Sequence, residues 1–441
     1  MMFAYWIVSA LVFASTGHCY HLPGGGKIWA LLVAGSSGYD NYRHQADVCH
    51  AYQILHENDI PDENIIVMMY DDIAYNEENP RQGVIINRPH GHDVYRGVPK
   101  DYTGDDVNST NFLKILTGDE DGMSGIGSGR VLKSGPNDHV FVNFVDHGAP
   151  GLVAFPNDEL YANDLEAALQ KMVNNSQFAK LVLFVEACES GSMFENILPD
   201  YENIFVMTAA DPHESSYACY YDETLSTYLG DVFSVKWMED VEEQDISNES
   251  LHHLFEEVRY ETNTSHVEEY GDLDLGALHV SKFLGDRSED SLKTNRTPVS
   301  IEDAVPSHHV PLAILQRKLE AATDPDVKEE LKFKIHKMLK LRRQIENTMK
   351  FILHSLFDED QIRVQSIMDA KHSLTPENFG CYRKLATHFS DRCYKFSENP
   401  YALRQLYILK NLCVEGAVTE VEVMTEMDQI CANMHAHVRI V

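Results

Sequence analysis

Two residues of complementary chemistry end two apolar runs in this chain. Val140-Phe141-Val142-Asn143-Phe144-Val145-Asp146 leads into His147-Gly148, and Leu181-Val182-Leu183-Phe184-Val185 leads into Glu186-Ala187-Cys188. A thiol attacks an acyl carbon once a base takes its proton, and a third group must hold that base in position. Gly148 and the small Ala187 leave room for close approach of substrate and backbone. A lone strand-end His is commonly a structural hydrogen-bonding group, and a lone buried Cys commonly a small core hydrophobe. Two such residues about 40 positions apart, closing consecutive strands, point to a nucleophile and its base. The chemistry is that of a cysteine hydrolase.

The elements that would carry the pair alternate along the chain. Both runs are β-branched and aromatic, the pattern of strands buried on two faces of a parallel sheet. Ile28 to Ala34 reads as a further strand ending in Gly35-Ser36-Ser37-Gly38, and Ile65 to Met69 as another. Between them Ala46, Cys49, Ile54 and Leu55 recur at helical spacing, which predicts a helix from about His44 to His56. Phe112 to Leu116 and Ile204 to Thr208 continue the alternation. Tyr70 to Gly104, rich in Asn, Pro, Gly and Asp, is too long for a simple crossover. Alternating strands and helices predict a mostly parallel sheet covered on both faces, with the chemistry at the strands' carboxyl ends.

From about Gly285 to Pro311 the pattern breaks into Ser, Asp, Thr, Asn, Pro and His, a linker with exposed backbone. Beyond it Leu315, Leu319, Ile335, Met338, Leu339, Ile345, Met349, Ile352 and Leu353 recur at three and four, predicting a helical C-terminal module.

The first fourteen residues are largely apolar and are followed by Ser15, Thr16 and Gly17, the form of a secretory signal peptide. No later run reaches the roughly 18 apolar residues of a membrane span. Sequons at Asn108, Asn174, Asn248, Asn263 and Asn295 fit the same route. The formal charge of −33 is uneven, since residues 301–441 sum to about −1 and leave about −32 on the rest. So acidic a body excludes nucleic acid as a natural partner. Lys332, Lys334, Lys337, Lys340, Arg342, Arg343 and Lys350 form a basic run that would dock on it and loosen as carboxylates protonate in acid. His308 and His309 would add a switch in the same pH range. Cys381, Cys393, Cys413 and Cys431 fall together in the last quarter, which suggests two disulfides with three possible pairings. Cys19 lies at the end of the signal peptide, and Cys49, Cys188 and Cys219 in the body.

The chain resembles the C13 cysteine peptidases, the asparaginyl endopeptidase or legumain family of the caspase-like clan. The matching text is Val33-Ala34-Gly35-Ser36, Asn41-Tyr42-Arg43-His44-Gln45-Ala46-Asp47, Met69-Tyr70-Asp71-Asp72-Ile73-Ala74, Asp146-His147-Gly148, Glu186-Ala187-Cys188-Glu189-Ser190-Gly191-Ser192 and Glu214-Ser215-Ser216-Tyr217-Ala218-Cys219. The likeness runs from the end of the signal peptide through the Cys quartet. It implies an α/β fold, a caspase-like mostly parallel sheet flanked by helices, followed by an all-α C-terminal prodomain. The implied divisions are a signal peptide (1–17), a short propeptide (18–26), a catalytic domain (27–285), a linker and activation peptide (286–326) and a prodomain with two disulfides (327–441).

The resemblance further implies Cys188 as nucleophile, His147 as general base and Asn41 as its orienter, with the Gly148 and Cys188 N–H groups as oxyanion hole. Arg43, His44, Glu186, Ser215 and Asp231 match the family's S1 pocket for Asn, and for Asp at lower pH. The implied disulfides are Cys381–Cys413 and Cys393–Cys431. Members are thiol proteases made as zymogens and activated in acid by losing the prodomain, an intramolecular inhibitor. Protein and peptide substrates, cystatin-type inhibitors, and a lysosomal or endosomal compartment or secretion are likewise implied. No metal or other cofactor is. The alternative activity is peptide ligation through the same acyl-enzyme. Relatives are cut after an Asn near the linker's end, but this chain reads Ala322-Thr323-Asp324-Pro325-Asp326-Val327. Asp326 is the activation site expected here, with Asp303 second, because Asp324 precedes a proline and Asn295 carries a sequon.

Overall fold

The computed structural model describes residues 22, 25–199, 203–286, 300–358 and 360–432. The signal peptide, most of the short propeptide, Cys19 and Asn295 lie outside the described residues. Six strands form the central sheet in the order Glu268–Gly271, Ile204–Thr208, Lys180–Glu186, His139–Val145, Ile28–Ala34, Ile65–Met69. The 268–271 strand is antiparallel to its neighbour and the other pairings are parallel. Trp29, Leu31 and Val33 enter one core, while Ile28, Ala30, Leu32 and Ala34 enter the other. Both faces are covered, which is why these strands read as unbroken apolar runs. Helices Tyr42–Glu57, Val232–Glu243 and Leu251–Glu261 cover one face, and Ser109–Leu116 and Ala162–Asn174 the other.

This topology places the chemistry. The chain steps outward from Ile28–Ala34 to Ile65–Met69 and then returns to His139–Val145 on the other side, so the order reverses at the 28–34 strand. Ligands bind outside the carboxyl ends of strands at such a switch point. Val145 pairs with Glu186 in register, so His147 and Cys188 each stand two residues past a matched pair. Parallel neighbours lie roughly 4.8 Å apart, so the register sets the two residues side by side.

Local differences from expectation are small. The first helix is Tyr42–Glu57, and Phe112–Leu116 belongs to a helix capped by Asn108, whose side chain accepts from Asn111 N. Among the described residues, 70–103 forms no helix or extended strand. Buried Asn79 ties that segment together by donating to the carbonyls of Ile73, Ala74 and Val84 at 3.2, 3.1 and 3.0 Å. Asn174, Asn248 and Asn263 are exposed, while Asn108 is half-buried.

The C-terminal part is helical: Val310–Ala321, Pro325–Leu356, Gln361–Asp369, Pro376–Arg392, Leu406–Glu415 and Glu420–Cys431. The linker therefore contains a helix, and the long helix begins two residues ahead of the expected boundary. Disulfides join Cys381 to Cys413 and Cys393 to Cys431. In the chain-entropy picture, loops of such size are worth roughly 3–4 kcal/mol each. Cys49, Cys188 and Cys219 are free and buried.

Two expectations need correction. Residues 303–308 are not exposed linker. Val305–Pro306 pairs antiparallel with Tyr217–Asp222, and the Asp303 carboxylate accepts the N–H groups of Tyr220 and Tyr221 at 3.0 and 2.7 Å. An open sheet edge offers unpaired backbone groups, and the linker satisfies them. Nor does the basic run dock on the body. Lys332, Lys334, Lys337, Lys340, Arg343 and Lys350 are exposed, and within the run Arg342 alone is buried. Contacts between the C-terminal module and the body include Arg383, paired with Asp164 at 2.8 Å and lying over Tyr161, and Leu374 and Phe379 against Gly151.

Gly151 has φ +65°, and a Cβ there would meet Leu374 Cδ1 at 2.6 Å and Phe379 Cε2 at 2.9 Å. Strain and collision combine, so Gly151→Ala is expected to cost the covered form about 1–3 kcal/mol. Urea melts in a Cys188→Ala background, which prevents self-cleavage, measure this. Superimposable curves would contradict the fit.

Candidate active site

Three strand ends converge on one cleft. The loop after Ile28–Ala34 brings Ser36, Ser37 and Asn41, the His139–Val145 strand brings His147, and the Lys180–Glu186 strand brings Cys188. Asn41, His147, Gly148 and Cys188 line a cavity of about 200 Å³. Asn41 Nδ2 donates to Ser37 O at 2.9 Å, which turns its Oδ1 toward the imidazole. His147 Nε2 lies 2.9 Å from that oxygen and must carry the hydrogen, so Nδ1 keeps the lone pair. A Cβ on Gly148 would fall 2.2 Å from Cys188 O, so only glycine fits beside the thiol's backbone.

The dyad rests in its neutral form. Burial pushes the Cys188 thiol up to about 12, with Glu189 adding to the effect. Burial and Arg43 push His147 down to about 3. Desolvation disfavours the charged form of each group. Cys188 Sγ lies 3.1 Å from Ser215 Oγ.

Behind the dyad lies a buried polar cluster. Arg43, fully buried, donates from Nε to Asp231 Oδ1 at 2.8 Å and from Nη1 to Asp40 O at 3.1 Å. His44 Nδ1 meets Ser36 Oγ at 2.7 Å, and its Nε2 stands 3.6 Å from Asp231 Oδ2. Burial, with Arg43 beside it, holds His44 well below the usual imidazole range. Glu186 Oε2 accepts from the N–H and hydroxyl of Ser234 at 2.9 and 3.0 Å. Burial raises Glu186 and Asp231, and Arg43 opposes the rise at both. Asp231 Oδ2 and Glu186 Oε1 are buried without a hydrogen-bond donor. A guanidinium beside carboxyl oxygens with spare lone pairs can hold a carboxamide from both ends, giving to its oxygen and accepting from its nitrogen.

Of the five pocket positions expected from the sequence, Ser215 contacts Cys188 and the His44 ring lies 5.0 Å from that of His147, while Arg43, Glu186 and Asp231 are buried in the polar cluster behind them. Sequence reasoning missed Asp47, whose Oδ2 accepts from Asp231 N at 3.1 Å while Asn87 Nδ2 donates to its Oδ1 at 2.6 Å. It also missed Ser307 of the linker. Ser307 Oγ stands 3.4 Å from both Arg43 Nη2 and Ser216 Oγ, and its N–H donates to Ser216 O at 2.9 Å. Asp47 lay inside a quoted motif, but nothing marked it apart from a solvent-facing acid. Ser307 carries no local signal. Of the activation candidates, Asp303 is held in the strand pairing described above, and Asp326 is exposed in the first turn of Pro325–Leu356.

Prodomain residues roof the cleft. Met338, Arg342, Tyr401, Leu403 and Arg404 line the same cavity as Cys188, together with Ser307 and His308. Among the described residues no helix is long and apolar enough to cross a membrane.

Comparison with known proteins places this geometry. Residues 28–286 match the peptidase C13 family, and residues 333–431 match the legumain prodomain. The chain is 48% identical to human legumain over 409 residues, 92% of this chain and 93% of that one. It is 41% identical to the hemoglobinase of Schistosoma japonicum over 393 residues, covering 89% and 90%. Against the vacuolar-processing enzyme delta-isozyme of Arabidopsis thaliana it is 40% identical over 428 residues, covering 92% and 91%. With a Cys–His–Asn array at the sheet's carboxyl edge and a helical module over it, the chain belongs to the peptidase C13 family and is a cysteine endopeptidase carrying a legumain-type prodomain.

Proposed function

We propose that this enzyme hydrolyses peptide bonds after Asn, and after Asp in acid, and that it is held inactive until acid uncovers the cleft. The observation that carries the specificity is the buried Arg43–Asp231 pair beside carboxyl oxygens without donors. Arg43 donates to the substrate carboxamide oxygen, and Asp231 and Glu186 accept from its nitrogen. Cys188 is the nucleophile. His147 takes the thiol proton on Nδ1 and later gives it to the leaving amine, while Asn41 fixes the ring. The Gly148 and Cys188 N–H groups meet the developing oxyanion. Water resolves the acyl-enzyme, and an amine in its place gives ligation. Activation cleavage falls after Asp326, once the first turn of its helix frays. The acid requirement places the enzyme in an endosomal or lysosomal compartment, or outside the cell where the pH falls.

Peptides with Asn, Asp, Ala or Arg before the scissile bond test the pocket. An aspartate mimics the carboxamide only when protonated, and its ordinary value is about 3.9. Selectivity for Asn over Asp is therefore expected to fall up to about tenfold per pH unit between pH 7 and 4.5. A ratio that stays flat with pH, or cleavage after Ala or Arg, would remove the proposed pocket.

A further inference from the structure

The cover over Cys188 is built around an imidazole that must stay unprotonated. His308 follows Ser307 into the cleft. Ser215 Oγ donates to Ser216 O at 2.9 Å, so toward His308 it acts as acceptor. His308 Nδ1, 3.1 Å from that oxygen, therefore carries the ring hydrogen. This leaves the Nε2 lone pair to accept from Arg404 Nη1, which contacts it directly. The His308 carbonyl accepts from Arg342 Nη2 at 3.0 Å. Arg342 is buried, 4.5 Å above the Tyr401 ring.

The cavities that His308 enters are lined by titratable groups from several elements, among them Asp40, Glu78, His213 and Glu214 of the body and Lys350, Asp369, Lys371, Glu398 and Lys410 of the C-terminal module. The catalytic body presents Ser215, His147 and Glu189, the Pro325–Leu356 helix presents Arg342 and Glu346, and the Pro400–Gln405 turn presents Arg404 and Tyr401. Its own segment presents His309, with ring centroids 4.2 Å apart. Glu346 is engaged by the Tyr401 hydroxyl at 2.7 Å. Burial pushes Glu189 up to about 8, while Arg404 and Lys410 of the C-terminal module pull it down. Two guanidiniums thus hold the imidazole segment, and no carboxylate among the described residues forms a hydrogen bond with the ring.

We propose that His308 is the proton-sensitive latch of the covered cleft: a proton on Nε2 turns the Arg404 hydrogen bond into a contact of two cationic donors and drives the Ser307–His309 turn out. This deepens the acid activation proposed above and rests on it.

The sign follows from linkage. Burial, then Arg404, His309 and Arg342, push His308 down to about 2 when covered, against an ordinary value of about 6.5 for a free imidazole. The covered state binds fewer protons. Its advantage is complete above about pH 6.5 and declines up to tenfold per pH unit below, reaching up to about 100-fold at pH 4.5.

The test is self-activation of the full-length chain from pH 6.5 to 4, followed by gel. His308→Gln keeps an acceptor for Arg404 but cannot charge. It is expected to move the activation midpoint to lower pH, to slow activation at pH 4.5 by up to about 100-fold, and to flatten the slope of log rate against pH by up to one proton. His308→Lys carries a permanent charge and is expected to hydrolyse an Asn peptide near pH 6.5 without acid treatment, a readout that does not require cleavage after Asp326. A His308→Gln profile that superimposes on the parent's, or a His308→Lys chain that stays inactive on the Asn peptide at pH 6.5 until treated with acid, overturns the latch. Failure of the underlying reading is separable, because the parent chain would then show no Asn cleavage after any acid treatment.

Discussion

Replacing Cys188 with alanine is expected to lower peptide hydrolysis by about 10⁴-fold or more, since it removes the one thiol among the residues that line the cleft. The effect should appear twice. On peptides, kcat collapses while substrate still binds, because the Arg43–Asp231 pair behind the dyad is untouched. On the chain itself, acid incubation should leave the variant at full length, whereas added active parent enzyme should process it. Adding His147→Ala to Cys188→Ala should cost little more, because nucleophile and base act as one unit. Appreciable residual hydrolysis by Cys188→Ala would mean that the reaction does not pass through this thiol. The neutral resting dyad also predicts that a thiol-alkylating reagent reacts slowly with the covered chain and faster once the cleft opens, because the thiolate is the reactive form.

Arg43→Met carries the second largest effect. Arg43 is fully buried and is hydrogen-bonded to Asp231, Asp40 O and, at 3.5 Å, the Asn41 oxygen that orients His147. Breaking one side of a buried ion pair strands the other charge, which costs about 3–5 kcal/mol. For a domain of this size that lowers the melting temperature by roughly 10 °C. Asp231→Asn added to Arg43→Met should restore most of the stability, because the uncompensated carboxylate is gone. It should not restore selectivity for Asn. Urea unfolding of all four forms gives the coupling directly. If Arg43→Met were as stable as the parent, the pair would not be holding the pocket together. If the double variant still preferred Asn, the pocket would lie elsewhere.

Much of this site was legible before any coordinates. His147 and Cys188 are marked by their place at the ends of buried strands, and strand burial is written in unbroken apolar runs such as Val140–Val145. Asn41, Arg43 and His44 sit close together at a helix start, so one local turn delivers them all. The helix expected from about His44 to His56 runs from Tyr42 to Glu57, off by one or two residues at its ends, as cap geometry is weakly written in sequence.

Other features depended on distance in space. The basic run at 332–350 looked like a docking surface because charge was counted along the chain. Yet the helix turns most of those side chains to solvent, and the C-terminal module's contacts with the body include Leu374, Phe379 and Arg383, which carry no such signal. Asp47 resembled a surface acid, but the return of the Thr227–Asp231 strand places Asp231 N against it. The Ser, Pro and His residues of the linker read as exposed, and their seat in the cleft is set by the unpaired edge of the Tyr217–Asp222 strand. Sequence by itself marked His147 and Cys188 and the strands that bury them, because both follow from local composition and period, whereas Asn41 and the pocket residues came from the family resemblance. Tertiary structure decided which charges face one another, and hence that Arg342 and Arg404 close on His308. Electrostatic partners are chosen by proximity after folding, across 34 residues in one case and 96 in the other.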